Sequence, residues 1–457
     1  MKRSVLALSV LAACTSITKE RGHDEVGALV KQRTGFSTGW NQGTPEDAEV
    51  ARTVDALLKA GLTRDGAVQI ALVNNPELQA TYEELGVAQA ELVQAGLLSN
   101  PRISASLDAP IRSPLSLIEV GIVQNFLDLF MLPLRKQVAA EQFAVEVSRV
   151  AHAALGTTAE VSRTFYEVQA ATQKVELQAL IAEAARAGAE TAERQKKAGN
   201  INALEHASQA ANDAQARVEL LREQAALVVH REHLNRLLGL YGAQTQWSLA
   251  APLAEVPADE PQLEKLETRA VRDRLDLRAA RGAVALLTTA SNLVRTSAAT
   301  GFIDIGAEIH QDPNGPLVLG PTLSLELPIF DRRQAQIAKV EAQARQAERR
   351  LRQLAIDARS EVRAAFALLQ ASRQEAVFYK ERLLPLREQV LEQTQLQYNA
   401  MQLGVFQLLD AKNTQSHAYR DYLDAVARYW SARAELERAL GGTLNGGSDE
   451  AAQGQPR

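Results

Sequence analysis

The sequence predicts a mainly α-helical protein with a small β part, in which a long helical hairpin is duplicated and four short strands complete each chain. Three observations carry this reading. Proline lacks an N–H and its ring clashes with the preceding helical turn, so helix interiors exclude it. None occurs between Pro133 and Pro252, and only Pro385 and Pro456 follow Pro328. Second, segments roughly 200 residues apart resemble one another, the mark of an internal repeat. Third, short runs in the proline-rich zones alternate strictly between apolar and polar residues, the signature of half-buried strands.

The chain opens on an address. Lys2 and Arg3 precede an apolar run from Val5 to Ala13. That is the layout of a secretory signal over residues 1–13, too short to span a membrane as a helix. Leu11-Ala12-Ala13-Cys14 resembles a bacterial lipobox, which would make Cys14 the lipid-bearing first residue; a plain signal with a chance cysteine is the alternative. Thr15 rather than Asp follows, which favours an outer membrane address over retention in the inner membrane. More than one acyl chain is needed for a stable hold. The polar stretch over residues 14–61 is expected to run extended over the surface.

Two repeats follow, over residues 62–250 and 251–442. Leu78 and Ala80 recur as Leu277 and Ala279, Phe165 and Gln169 as Phe366 and Gln370, and Leu238-Gly239 as Leu440-Gly441. Gly199 with Glu205 aligns with Gly404 and Asp410 at a slightly longer interval. Strands are expected at about 102–108 and 117–126 in the first copy and at 302–311 and 318–327 in the second. Ile303, Ile305, Ala307 and Ile309 point one way, and Asp304, Gly306, Glu308 and His310 the other. Runs of about ten residues match a tilted strand across a bilayer; a small soluble sheet with one wet face is the alternative. Four strands cannot close a transmembrane barrel, and lipid tolerates no open edge, so the membrane reading demands three chains and a twelve-stranded wall.

The helical hairpins are expected at about 134–238 and 332–440, with reversals at Gly199 and Gly404 and a kink or interruption at Pro385. Leu220, Leu227 and Leu234, and Leu384, Leu391 and Tyr398, keep heptad spacing, which holds an apolar stripe against a partner helix. Taken alone, such helices fit an ordinary coiled-coil spacer equally well. The tail over 443–457 reads as disordered.

The doubled arrangement, the NNPELQA segment (Asn74 to Ala80), the turns at Gly199 and Gly404, and LPIFD (Leu327 to Asp331) together resemble the TolC-like outer membrane factor family. FLDLFMLPLRK (Phe126 to Lys136) and YNAMQLGVFQLLDAK (Tyr398 to Lys412) look closest to its lipoprotein branch. The resemblance implies a homotrimer in the cell outer membrane, lipid-anchored, with a trimeric twelve-stranded transmembrane β-barrel above a periplasmic α-barrel tunnel. It implies docking to a periplasmic adaptor and, through it, to an inner membrane pump of the RND type. The function implied is a passive channel of a tripartite efflux system; the outer membrane component of a type I secretion system is a variant. No cofactor is expected beyond the lipid on Cys14.

Candidate functional residues follow. Gly199, Asn200 and Ile201, and Gly404, Val405 and Phe406, are the expected adaptor-docking tips; a purely structural turn is the alternative. A left-handed helix end suits glycine, and that conformation is expected at both Gly199 and Gly404. The resemblance places an acidic pore constriction at Asp410, with Glu205 nearby; three copies around an axis would attract cations. A solvated carboxylate on an outer face is the alternative. His230 and His233 share a helix face, but a wet or capping pair fits them better than a metal site. Trp40, Trp247 and Trp430 are expected near helix ends or loops.

The composition excludes other classes. Net charge is -5 and only 5% of residues are aromatic, which leaves no electrostatic footprint for nucleic acid and little material for a compact core of this length. No phosphate loop, dinucleotide fingerprint, nucleophile elbow or HExxH occurs, so catalysis has no residues to rest on. A periplasmic coiled-coil scaffold remains the rival to the channel, and the strands discriminate them: a scaffold has no need of ribbons with one wholly apolar face.

Overall fold

The computed structural model describes residues 21–108, 117–258, 265–300, 303–311, 315–327 and 329–444. The signal segment, Cys14, Phe302, residues 312–314, Pro328 and the tail past Leu444 lie outside the described residues. In chain order the elements are α1 (Arg21–Thr34), α2 (Pro45–Lys59), α3 (Arg64–Asn74), α4 (Pro76–Ala95), β1 (Arg102–Asp108), β2 (Leu117–Asn125), α5 (Leu127–Lys197), α6 (Ala203–Leu238), α7 (Leu266–Asp273), α8 (Leu275–Thr300), β3 (Ile303–Gln311), β4 (Leu317–Leu325), α9 (Gln334–Phe378), α10 (Leu384–Asn399) and α11 (Val405–Leu440). The described residues form two compact units, 21–25 with residues of Glu83–Arg149 and Arg278–Arg352, and Val26–Tyr82 with residues of Val150–Leu277 and 353–444.

The first unit holds the sheet, antiparallel throughout in the order β1-β2-β3-β4. Its register pairs Ala105 with Val120, Val120 with Ile309 and Ile309 with Leu319. Side chains alternate across a strand, so that row and its neighbours (Ile103, Ile122, Ala307; Ile305, Leu323) lie on one apolar face. This face is not covered: Ile103 is 75% exposed and Leu319 70%. The opposite face is polar. There Arg102 Nη2 lies 3.5 Å from Asp304 Oδ2, and Ser106 Oγ donates to Glu119 Oε2 at 3.4 Å. Glu119 is also within hydrogen-bonding reach of Glu308. Pro321 sits in β4, an edge strand, the one sheet position where a missing ladder donor is tolerated. The register also gathers Arg102, Val123, Ile303 and Leu325 at one end of the sheet, where α4, α5, α8 and α9 attach.

Helix α5 starts earlier than proline alone suggests, and Pro133 lies inside it. Asn125 Oδ1 accepts from Asp128 N at 3.1 Å and caps the new start, so the helix begins before the proline and forfeits one internal hydrogen bond. At 71 residues α5 is roughly 105 Å long at 1.5 Å per residue. Pro385 does interrupt its helix. A π-helical turn over Tyr379–Leu383 precedes α10, whose first turn contains the proline, where no N–H is needed.

In the second unit the helices meet along narrow alanine seams. Ile181, Ala182, Ala185 and Ala216 join α5 to α6. Val362, Ala365, Leu369, Tyr429, Ala432 and Leu436 join α9 to α11 under Leu266 and Ala270 of α7. Small side chains let two helix backbones approach closely, which explains how so few aromatics suffice. Both return helices end alike, on left-handed Gly239 (φ 67) and Gly441 (φ 77). The joints before α4 and α8 differ. Asn75 amide donates to Leu237 O at 2.7 Å. At the matching place Arg274, with a side chain 4% exposed, holds Asp276 and Glu361, each at 2.6 Å.

Three expectations are corrected in this unit and at its start. The N-terminal segment is not extended, because α1 and α2 are helices; Val26 and Val30, one turn apart, are fully buried, and Arg33 Nη2 donates to Asp273 O at 2.7 Å. The tail is ordered through Leu444, which is 6% exposed, while Thr443 N donates to Arg33 O at 3.0 Å. Trp430 is no loop residue. It lies well inside α11, stacked on Tyr166 with centroids 5.1 Å apart, and donates to Ala254 O.

Candidate functional site

The hairpin tips are built from helix ends. At the first, Gly199 N donates to Lys196 O and Asn200 N to Gln195 O, and Gly199 takes φ +76. This is a Schellman closure, whose left-handed residue favours glycine. At the second, Met401 N donates to Tyr398 O and Gln402 N to Gln397 O, so Met401 (φ 58) is the left-handed residue. Gly404 instead has φ -83 and is the N-cap of α11. Its expected left-handed conformation is therefore corrected: glycine is there for no backbone reason, and a side chain would meet only the flexible end of Gln407.

This alters the repeat alignment. Gly199 corresponds to Met401, the N-cap Asn202 to Gly404, and Gly239 to Gly441, all at one interval. Glu205 then corresponds to Gln407, and Asp410 to Ser208, so the pairing of Glu205 with Asp410 is also corrected. Glu205 is the third residue of α6. It accepts from Asn202 N while Asn202 Oδ1 accepts from Glu205 N at 2.8 Å, a capping box. Asp410 is the sixth residue of α11, exposed and clear of any such cap. The two acids thus stand about one turn apart in helix register and have different local duties.

The tips carry more apolar surface than Ile201, Val405 and Phe406 suggest. Leu204 is 77% exposed and Met401 94%; both were missed because a lone apolar residue beside a cap carries no periodic signal. Beside the first tip His206 Nε2 lies 2.6 Å from Glu193 Oε2. The Lys197 hydrogen bond, with help from His206, holds the Glu193 carboxyl below its ordinary pKa.

His230 and His233 do not converge on a common ligand point: His230 faces Glu167 and His233 faces Glu160, each at 3.5 Å. Among the described residues no group of three or more His, Cys, Asp or Glu is placed to hold a metal ion. No described helix is long and apolar enough to cross a membrane. Two cavities were invisible in the sequence because their walls come from distant segments. One, about 340 Å³, is lined by Arg64, Tyr166, Trp430, Arg433 and Glu437. The other, about 230 Å³, opens where the strands meet α5, α8 and α9.

Comparison with known proteins agrees with this architecture. Residues 67–240 and 269–442 each match the model of the family described as "Outer membrane efflux protein", so each repeat is one copy of the family unit. The cobalt-zinc-cadmium resistance protein CzcC of Cupriavidus metallidurans is 28% identical over 291 residues, 62% of this chain and 67% of that protein. Among solved structures, the CmeC outer membrane channel of Campylobacter jejuni superposes with a TM-score of 0.70 at 13% identity, covering 94% of this chain and 93% of its own. CusC superposes at 0.68 with 18% identity, covering 84% and 94%. Those likenesses show the fold, and the doubled family match shows the rest: the chain belongs to the outer membrane efflux protein family and is an outer membrane efflux channel protein.

Proposed function

We propose that the chain works as one subunit of a homotrimer, a passive exit duct that receives solutes from an inner membrane pump of the RND type through a periplasmic adaptor. One observation carries the reading. All four strands expose apolar side chains on a single face while both edge strands, β1 and β4, are unpaired among the described residues. Only further strands can close such a sheet in lipid, and three identical chains supply the twelve a barrel requires. The polar face with Glu119, Glu308 and His310 then lines the bore. The duct binds and positions nothing covalently and needs no catalytic group.

Gly199, Asn200, Ile201, Gly404, Val405 and Phe406 are the proposed adaptor-docking tips, joined by Leu204 and Met401. Asp410 is the proposed constriction; Glu205, occupied as a cap, contributes less. Metal cations are a candidate cargo, by likeness to the cobalt-zinc-cadmium resistance protein. Purified protein in planar bilayers tests the channel. We expect cation-selective conductance that weakens in Asp410→Ala; conductance with unchanged selectivity would remove Asp410 from the bore, and no conductance would favour the scaffold. The lipid anchor at Cys14 is a separate proposal: Cys14→Ser should lose acyl labelling, and labelling that persists would refute it.

A further inference from the structure

The cavity at the strand–helix junction has a chemical character that the channel role does not use. Arg135, one third of the way exposed (32%), reaches in from α5 and touches Asp128 at 3.4 Å. Its Nε is buried and has no hydrogen-bond partner among the described residues. Arg333 enters from the turn before α9. It is held with φ 57, in the left-handed region, and its Nη1 donates to Ser297 Oγ at 2.5 Å. A non-glycine residue there costs about 1–2 kcal/mol, so the turn aims this guanidinium at a cost. Two arginines and one aspartate line the cleft, while Met131, Leu293 and Val294 make its remaining wall apolar.

Near the cleft in sequence lies apolar surface that no described residue covers. Phe130 is 65% exposed, Ile329 62% and Phe330 92%. These residues lie in sequence next to the sheet end to which α4, α5, α8 and α9 attach. If the sheet crosses the outer membrane, this end is the periplasmic one, at the headgroups of the inner leaflet. Guanidinium groups bind phosphate oxygens through paired N–H donors, and aromatic side chains settle at a membrane interface.

We propose that this cleft seats the phosphate of one inner-leaflet glycerophospholipid per subunit, with Arg135 and Arg333 as its ligands and Phe130, Ile329 and Phe330 against its acyl chains. The proposal rests on the outer membrane orientation above. The part-exposed Arg135 guanidinium gains an acceptor beside Asp128, and the strained turn at Arg333 gains a purpose. The lipid thereby pins the collar between wall and helices at a fixed depth.

The test uses the full chain, purified and delipidated in a neutral detergent, titrated with short-chain phosphatidylglycerol and, in parallel, with diacylglycerol of the same chain length. Binding is read by native mass spectrometry. Wild type should bind phosphatidylglycerol at least tenfold tighter than diacylglycerol. Arg135→Gln with Arg333→Gln should lose that preference, while the Arg→Lys pair should keep most of it. Inorganic phosphate should compete only at far higher concentration. Equal binding of the two lipids by wild type, or an undiminished preference in the Gln pair, would overturn the proposal. If the Gln pair does not assemble, Arg135→Gln alone is read the same way. Bilayer conductance of the same samples separates the two ideas: a conducting wild type without lipid preference defeats only the headgroup site, whereas a non-conducting wild type defeats the orientation.

Discussion

The two hairpin tips make the same reversal with different residues. The first uses glycine at the left-handed position and closes α6 with the Asn202–Glu205 box. The second puts Met401 at the left-handed position and starts α11 on Gly404, which has no side chain to cap with. Duplication has preserved the backbone path while the chemistry has separated. The first tip is locally optimised and ringed by charge, with Lys196, Lys197 and Glu193 around the apolar Ile201 and Leu204. The second is strained and uncapped and shows Met401 to solvent. A strained, apolar turn suits the adaptor-docking role proposed for the second tip. The joints before α4 and α8 show the reverse bias: the second copy has the elaborate ionic lock at Arg274, and the first only the neutral amides of Asn74 and Asn75.

The joints should give the largest difference. Arg274→Ala leaves Asp276 and Glu361 without their shared cation and should cost about 3–5 kcal/mol. Asn75→Ala loses only neutral hydrogen bonds, to Leu237 O and from Leu78 N, and should cost about 1–3 kcal/mol; chemical unfolding would measure both, and equal costs would break the contrast. The same joint carries a pH dependence. Burial opposes the ionisation of Asp276, but Arg274 outweighs it and holds that carboxyl below its ordinary 3.8. Burial pushes His152, beside this cluster, below 6.5. The contribution of this joint is therefore flat above pH 6.5. It falls first as acid protonates the unfolded chain's His152 but not the folded one's, and again below 3.8 as Asp276 is neutralised. His152→Asn should shrink the upper part of the fall in a melting-temperature profile, leaving the part due to His23, which burial also pushes below 6.5.

At the tips the effects are smaller and of opposite sign. Met401→Gly should stabilise by about 1 kcal/mol by relieving the left-handed backbone, and Gly199→Ala should cost about the same. Smallest of all, Gly404→Asn should gain a few tenths of a kcal/mol, whereas Asn202→Ala should lose about 1 kcal/mol of helix capping. Binding to the cognate adaptor sharpens the contrast: Met401→Gly, although more stable, should bind more weakly.

Legibility followed the range of the forces involved. The proline-free blocks, the alternation of Ile303 to His310 and the turns near both tips are local patterns, and they led directly to the helices, strands and reversals. Four strands came from the doubled repeat and their apolar face from alternation, whereas the order β1-β2-β3-β4 is set by pairing between the copies. What stayed hidden was set by tertiary contact. α1 has too few apolar residues to announce itself and is a helix because Val26 and Val30 find a core. Trp430 looked like a loop marker because its partner Tyr166 is distant in sequence. The match of Gly199 to Gly404 failed because glycine serves left-handed turns and N-caps alike, and only dihedral angles tell them apart. The arginine cleft joins residues from β2, α5, α8 and α9, a convergence that no window of sequence contains.

The bare margins of the sheet have a consequence for biogenesis. A lone subunit offers lipid a ribbon whose peptide groups on both flanks would enter hydrocarbon unsatisfied, at several kcal/mol each. If three chains close the barrel as proposed, membrane entry and recruitment of the sister chains must be a single concerted event. A copy on its way to the membrane would then have to be kept in the aqueous compartment, shielded by a chaperone or by its siblings, until all three subunits were present.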